Sequence, residues 1–211
     1  MKLYGYFRSS AAYRVRIALN LKGVAPEHAF VHLTRDGGGH NSPDYAARNP
    51  QKLVPALELD GGEVLTQSLA IIEYLDELYP DPPLLPADSV ARARVRAIAQ
   101  AVACDIHPLN NLRVLQYLRH RMGQDKAAVD AWYRHWVETG FAAIDQMIGE
   151  DGYCHGGHVS LADVCLVPQI FNARRFDIEL GSYPRIARVE EVCGAIPAFA
   201  DAHPARQPDA E

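Results

Sequence analysis

Between residues 80 and 86 the chain reads PDPPLLP, and four of these seven positions are proline. Proline fixes φ and has no N–H, so a run this dense cannot lie inside a helix or a central strand. It divides the 211 residues into two stretches of different character. Residues 1–80 carry all the strand signals. Residues 81–87 read as a linker, and residues 88–211 as an all-helical domain. A chain of this length is long enough for two small cores.

In the first stretch Leu3-Tyr4-Gly5-Tyr6-Phe7 is short and aromatic, as in a strand. From Ser10 to Lys22 the apolar positions Ala11, Val15, Ala18 and Leu19 recur with helical spacing. Ser9 or Ser10 suits the N-cap, and Gly23 the stop. Ala29-Phe30-Val31-His32-Leu33 reads as a second strand, parallel to the first because a helix joins them. Residues 34–49, with Gly37-Gly38-Gly39, form a loop with room for one helical turn. Pro55–Leu59 and Glu63–Leu65 flank Asp60-Gly61-Gly62, a hairpin signal, and SLAIIEYLDELYP from Ser68 is an amphipathic helix. The order is βαβ-ββα. Beyond the linker one helix starts at Asp88 or Ser89, a second spans Lys126–Ile148, and a third follows the capping box Ser160-Leu161-Ala162-Asp163.

A net charge of −5 and a pI near 6.0 argue against non-specific nucleic-acid binding. No apolar run is long enough to span a bilayer, and MKLYGYF lacks the pattern of a secretory signal. Cys104, Cys154, Cys165 and Cys193 form no CxxC pair, which points to buried free thiols in a reducing compartment, the cytoplasm. Cys154, His155 and His158 lack a fourth ligand, so CHGGH reads as a polar loop and no metal is expected.

Three features of the first stretch carry chemistry. Residues 6–19, YFRSSAAYRVRIAL, place two serines at a strand-to-helix turn. Free N–H groups and the helix dipole favour an anion there, although serines at such turns also serve as caps. Arg8 adjoins this turn. Arg14 and Arg16 lie on the helix and read as a solvated or ion-paired face. Val54-Pro55 heads a strand, either as an ordinary strand start or as a cis peptide that leaves the Val54 backbone open to a ligand. Gln67-Ser68 opens another helix N-terminus, a second place for a carboxylate.

The chain resembles the glutathione transferases, and among them the zeta class that includes maleylacetoacetate isomerase. The resemblance spans nearly the whole chain and is sharpest at Ser9-Ser10-Ala11-Ala12-Tyr13-Arg14-Val15-Arg16-Ile17-Ala18-Leu19. NPQKLVP at 49–55, QSLAIIEYL at 67–75, IHPLNNL at 106–112 and NARRF at 172–176 support it. It implies a thioredoxin-like N-terminal domain, an all-α C-terminal domain, a homodimer and glutathione as cofactor. By position, Ser9, with Ser10 and Ala11, would support the glutathione sulfur. Val54 would pair with the cysteinyl backbone, and Gln67 and Ser68 would hold the γ-glutamyl carboxylate. His40, His107 and Asn111 match further glutathione contacts. Arg8, Arg113 and Arg175 would grip a small dicarboxylate substrate. Ala11 replaces the cysteine of the zeta motif, so the chain brings no active-site thiol of its own. The implied reaction is glutathione-dependent cis–trans isomerisation of maleylacetoacetate, in tyrosine and phenylalanine breakdown. Maleylpyruvate isomerisation in the gentisate pathway, general glutathione conjugation and a non-enzymatic scaffold stay as alternatives.

Overall fold

In the computed structural model, which describes residues 1–211, two compact units emerge. The first is built on β1 (Lys2–Gly5), α1 (Ser10–Leu21), β2 (Glu27–Phe30), α2 (Pro43–Arg48), β3 (Ala56–Glu58), β4 (Val64–Thr66) and α3 (Ser68–Leu78). The strands form one sheet in the order β2-β1-β3-β4, with β1 and β2 parallel and the other pairs antiparallel. This is the expected βαβ-ββα order. Strand β2 begins and ends earlier than the apolar run at 29–33. An edge strand has one neighbour, so the turn after it sets its end. Here Gly39 N–H donates back to the His32 carbonyl, drawing the chain away from the sheet.

The register decides where the sheet's functional end lies. Tyr4 pairs with Ala56, and Ala56 with Thr66. Two residues further along the three chains stand Tyr6, Val54 and Ser68. All three therefore leave the sheet at the same end, where β1 turns into α1.

The second unit, Leu84–Ala195, has no strand. Asp88 caps α4 (Ser89–Gln100), its Oδ1 accepting the Ala91 N–H at 2.8 Å. A π-helical stretch (Ala101–Ile106) leads into α5 (His107–Leu109), then α6 (Leu112–His120) and α7 (Lys126–Met147). Helix α8 (Leu161–Arg174) is buried on nearly every face, and α9 (Pro184–Gly194) and α4 pack against it. Its start is fixed by Asp163. Oδ2 accepts from the Ser160 N–H at 2.8 Å and the Ser160 hydroxyl at 2.7 Å, while Oδ1 accepts from the Cys154 N–H at 2.7 Å. Burial raises the Asp163 carboxyl pKa, against the opposing pull of these bonds.

The last stretch departs from the expected partition. Residues 196–211 cluster with the first unit, not with the helical one. Helix α10 (Pro197–Ala202) packs on α1, and polar side chains of α1 tie it down. Tyr13 donates to the Phe199 carbonyl, Asn20 to Ala198 and Arg16 to Ala202. A helical pattern does not say which core a helix joins. The cysteines differ from expectation at one position: Cys154, Cys165 and Cys193 are buried thiols, whereas Cys104 is exposed.

Candidate active site

At the sheet end Ser9 is the N-cap of α1, and its Oγ accepts the Ala12 N–H at 3.2 Å. That bond uses an acceptor lone pair and leaves the hydroxyl proton to donate elsewhere. Capping and ligand support are thus compatible in one side chain. Ser10 is buried as the first residue of the helix, and Ala11 is half-buried. Arg8 is half-buried. Its Nη2 donates to the Tyr6 hydroxyl at 2.9 Å, and its guanidinium lies 5.3 Å from the Phe7 ring centroid. Aromatic faces orient it, and its charge is felt by the Glu211 carboxyl, whose pKa it helps to lower.

The Val54-Pro55 peptide is cis. The preceding Leu53 carbonyl accepts from the Tyr45 hydroxyl at 2.6 Å and from Asn49 Nδ2 at 2.7 Å. The N–H and C=O of Val54 itself have no hydrogen-bond partner within the chain. A backbone pair left open beside a sheet end suits an extended peptide. Gln67 adopts φ 69°, a left-handed conformation uncommon outside glycine, and its Nε2 donates to Gln51 Oε1 at 2.7 Å. Ser68 follows as the first residue of α3, with its Oγ held by Arg14 at 3.3 Å.

His40 occupies a tight turn after Gly38. A Cβ at Gly38 would stand 2.4 Å from the His40 ring, and φ +86° there suits only glycine. Burial, then Lys52, lowers the His40 pKa and favours the neutral ring.

The two helix arginines are not a solvated face. Arg14 is 1% exposed and Arg16 6%. Arg16 Nη2 donates to the Phe7 carbonyl and Nε to the Ala202 carbonyl, both at 3.0 Å. Burial pushes its pKa down to about 10, so it stays charged near neutrality. The charge pattern hid this, because partners such as the Ser68 hydroxyl and the Ala202 carbonyl are remote in sequence.

In the helical unit Asn111 caps α6, its Oδ1 accepting the Arg113 N–H at 3.2 Å, and its Nδ2 lies 3.4 Å from His107 Nε2. Arg113 and Arg175 are exposed. Their segments share one anchor on α7. Trp132 Nε1 donates to the Leu109 carbonyl at 2.9 Å, and the Tyr133 ring stacks on Phe176 with centroids 3.5 Å apart. The next residue, Arg134, donates to the Asp177 carbonyl at 3.2 Å. Burial raises the Tyr133 pKa to about 12, with the Arg175 charge opposing it. The structure thus gathers Arg8, Ser9, Ser10, Ala11, Val54, Gln67 and Ser68 at one sheet end, and holds His107, Asn111, Arg113 and Arg175 around Trp132 and Tyr133. Sequence reasoning did not single out Gln51, Tyr133 or Asp209, and gave Arg14 and Arg16 only a solvated or ion-paired face. Gln51 and the two helix arginines lay within the quoted motifs. Nothing in the sequence marks Asp209, whose Oδ2 accepts the Phe7 N–H at 2.9 Å.

Residues 3–83 match the family model described as glutathione S-transferase, N-terminal domain. The chain is 54% identical to maleylacetoacetate isomerase of Pseudomonas aeruginosa over 99% of its own length and 98% of that protein's. The holo structure of a maleylpyruvate isomerase, described as a bacterial zeta-class glutathione transferase, superposes with a TM-score of 0.95 at 49% identity, over all of both chains. Maleylacetoacetate isomerase from Methylobacterium extorquens, solved with bound malonate and glutathione, also covers both chains fully, with a TM-score of 0.95 at 43% identity.

Proposed function

Because the chain belongs to the maleylacetoacetate isomerase family of zeta-class glutathione transferases, we propose that it is a glutathione-dependent cis–trans isomerase acting on maleylacetoacetate. The observation that carries the reading is the open backbone of Val54 at the same sheet end as the Ser9 cap and the Gln67-Ser68 helix start. A γ-glutamyl tripeptide needs this set of partners: a backbone pair for its middle residue, donors for its carboxylate, and a positive helix end for its sulfur. The residues present therefore fit glutathione. When bound, it supplies the thiolate nucleophile that lets the substrate's double bond rotate.

The chain's own residues do the rest. The N–H groups at the start of α1 and the Ser9 hydroxyl favour sulfur in its charged form. Arg8 faces the negative charge that builds on the substrate's carbonyl oxygen. Arg113 and Arg175 bind its carboxylates, for which a guanidinium offers a planar pair of donors. Gln67 and Ser68 hold the γ-glutamyl carboxylate, and His107, Asn111 and neutral His40 contribute further tripeptide contacts. The shorter substrate maleylpyruvate is the second reading, favoured by the solved isomerase that this chain matches along its full length. Family membership supports a homodimer, and the buried free thiols Cys154, Cys165 and Cys193 support a cytoplasmic location. Turnover of both substrates, assayed with and without glutathione, tests the reading. Strict glutathione dependence and preference for maleylacetoacetate are expected. Isomerisation that proceeds equally well without glutathione contradicts it.

A further inference from the structure

Arg14 and Arg16 are two positions apart, which puts them about 200° apart around α1, on opposite faces. One face packs on α3 and the other on α10. Each face buries a cation, and burying a cation carries a desolvation cost that an apolar side chain of similar size avoids. Both guanidiniums reach atoms of the tripeptide site. Arg14 Nη1 donates to Ser68 Oγ at 3.3 Å, the side chain at the carboxylate end. Arg16 Nη2 donates at 3.0 Å to the Phe7 carbonyl, immediately before Arg8 and Ser9 at the sulfur end. The N–H of the same Phe7 is held by Asp209 at 2.9 Å, so the chain entering the turn is clamped on both sides. Through Nε, Arg16 also anchors Ala202 at the end of α10.

We propose that Arg14 and Arg16 are positioning residues that set the two ends of the glutathione site separately: Arg14 aims Ser68 and so governs affinity, and Arg16 aims the Arg8-Ser9 turn and so governs the ionisation of the bound thiol. The inference rests on the glutathione reading above. It explains why the turn-and-helix segment holds three arginines in an acidic chain: one faces the substrate and two build the floor beneath the cofactor.

The test compares wild type with Arg14→Met and Arg16→Met by calorimetric titration with glutathione and by thiolate absorbance of the bound tripeptide across pH. Arg14→Met is expected to weaken glutathione about tenfold, the scale of one lost hydrogen bond, with the bound thiol's pKa unchanged. Arg16→Met is expected to move that pKa toward the value of free glutathione and lower kcat about tenfold, with affinity within about threefold of wild type. Arg→Lys at either position should give a partial effect of the same kind. If a methionine variant does not fold, two milder changes carry the test. Ser68→Ala should reproduce the affinity loss and make Arg14→Lys silent in combination. Asp209→Ala, on the half-exposed side of the same clamp, should raise the thiol pKa without weakening binding. Folded variants with wild-type affinity and wild-type thiol pKa overturn the inference, as do variants in which both quantities move together. Wild-type protein that binds no glutathione overturns the reading beneath it, a result distinct from either.

Discussion

The two units present their candidate site side chains differently. In the first, the groups at the sheet end are tied from behind: Ser68 by Arg14, Phe7 by Arg16 and Asp209, Leu53 by Tyr45 and Asn49. In the second, Arg113 and Arg175 lie exposed at helix ends, over a frame of α7 aromatics. The contrast matches two tasks. A cofactor that returns unchanged each cycle suits a fixed seat. A dicarboxylate substrate suits cations exposed to the solvent from which it arrives.

The contrast can be broken at its strongest point first. Ser9→Ala removes the hydroxyl donor at the sulfur end and should lower kcat/KM by about 10²- to 10³-fold, the usual loss for one preorganised donor. Steady-state isomerase kinetics read it, and near wild-type turnover would move that role to another residue. Next in size is Asp163→Ala. It leaves the buried N–H groups of Cys154 and Ser160 unpaired and removes the Asp163 half of the capping box of α8, a loss of about 3 kcal/mol. Denaturant unfolding should show it as a lower midpoint, with the change confined to stability and leaving glutathione affinity intact in the folded fraction. Arg175→Ala should raise KM for the dicarboxylate about tenfold or more, while calorimetry shows glutathione affinity unchanged. A matching loss of glutathione affinity would mean that the two seats are not separate.

The smallest effect is one of pH. His28, His40 and His203, all in the first unit, have pKa values lowered chiefly by burial. A base whose folded pKa lies below its unfolded value binds fewer protons when folded. Stability therefore falls as pH drops through the unfolded value near 6.5, and the loss levels off below the folded values. Thermal melts from pH 7.5 to 5.5 should show the first unit loosening, by proteolysis or amide exchange, before the helical one.

These residues also show how far the sequence could be read. The hairpin at Asp60-Gly61-Gly62 and the capping box at Ser160 are local signals, and each element formed where they said. Ser9 and Gln67-Ser68 were legible because a helix start is written in neighbouring residues. Of the solvated or ion-paired face read at Arg14 and Arg16, burial overturns the solvated half, because partners such as Ser68 and Ala202 are decided by tertiary packing, and alternation of charge on a helix looks the same whether the face meets water or protein. Residues 196–211 were misplaced for the same reason: a helical pattern names a face to be buried, not the surface that buries it. Asp209 lies near the chain's end with no motif around it, and only the folded backbone reveals that it meets Phe7.

The account's central claim is that the mouth of α1 holds a sulfur anion. The most direct measurement is thiolate absorbance of glutathione bound to wild-type protein and to Ser9→Ala, titrated over pH. The account predicts that the wild-type complex ionises well below free glutathione and that the variant shifts back toward it. A bound thiol that titrates like the free tripeptide in the wild-type complex would contradict it.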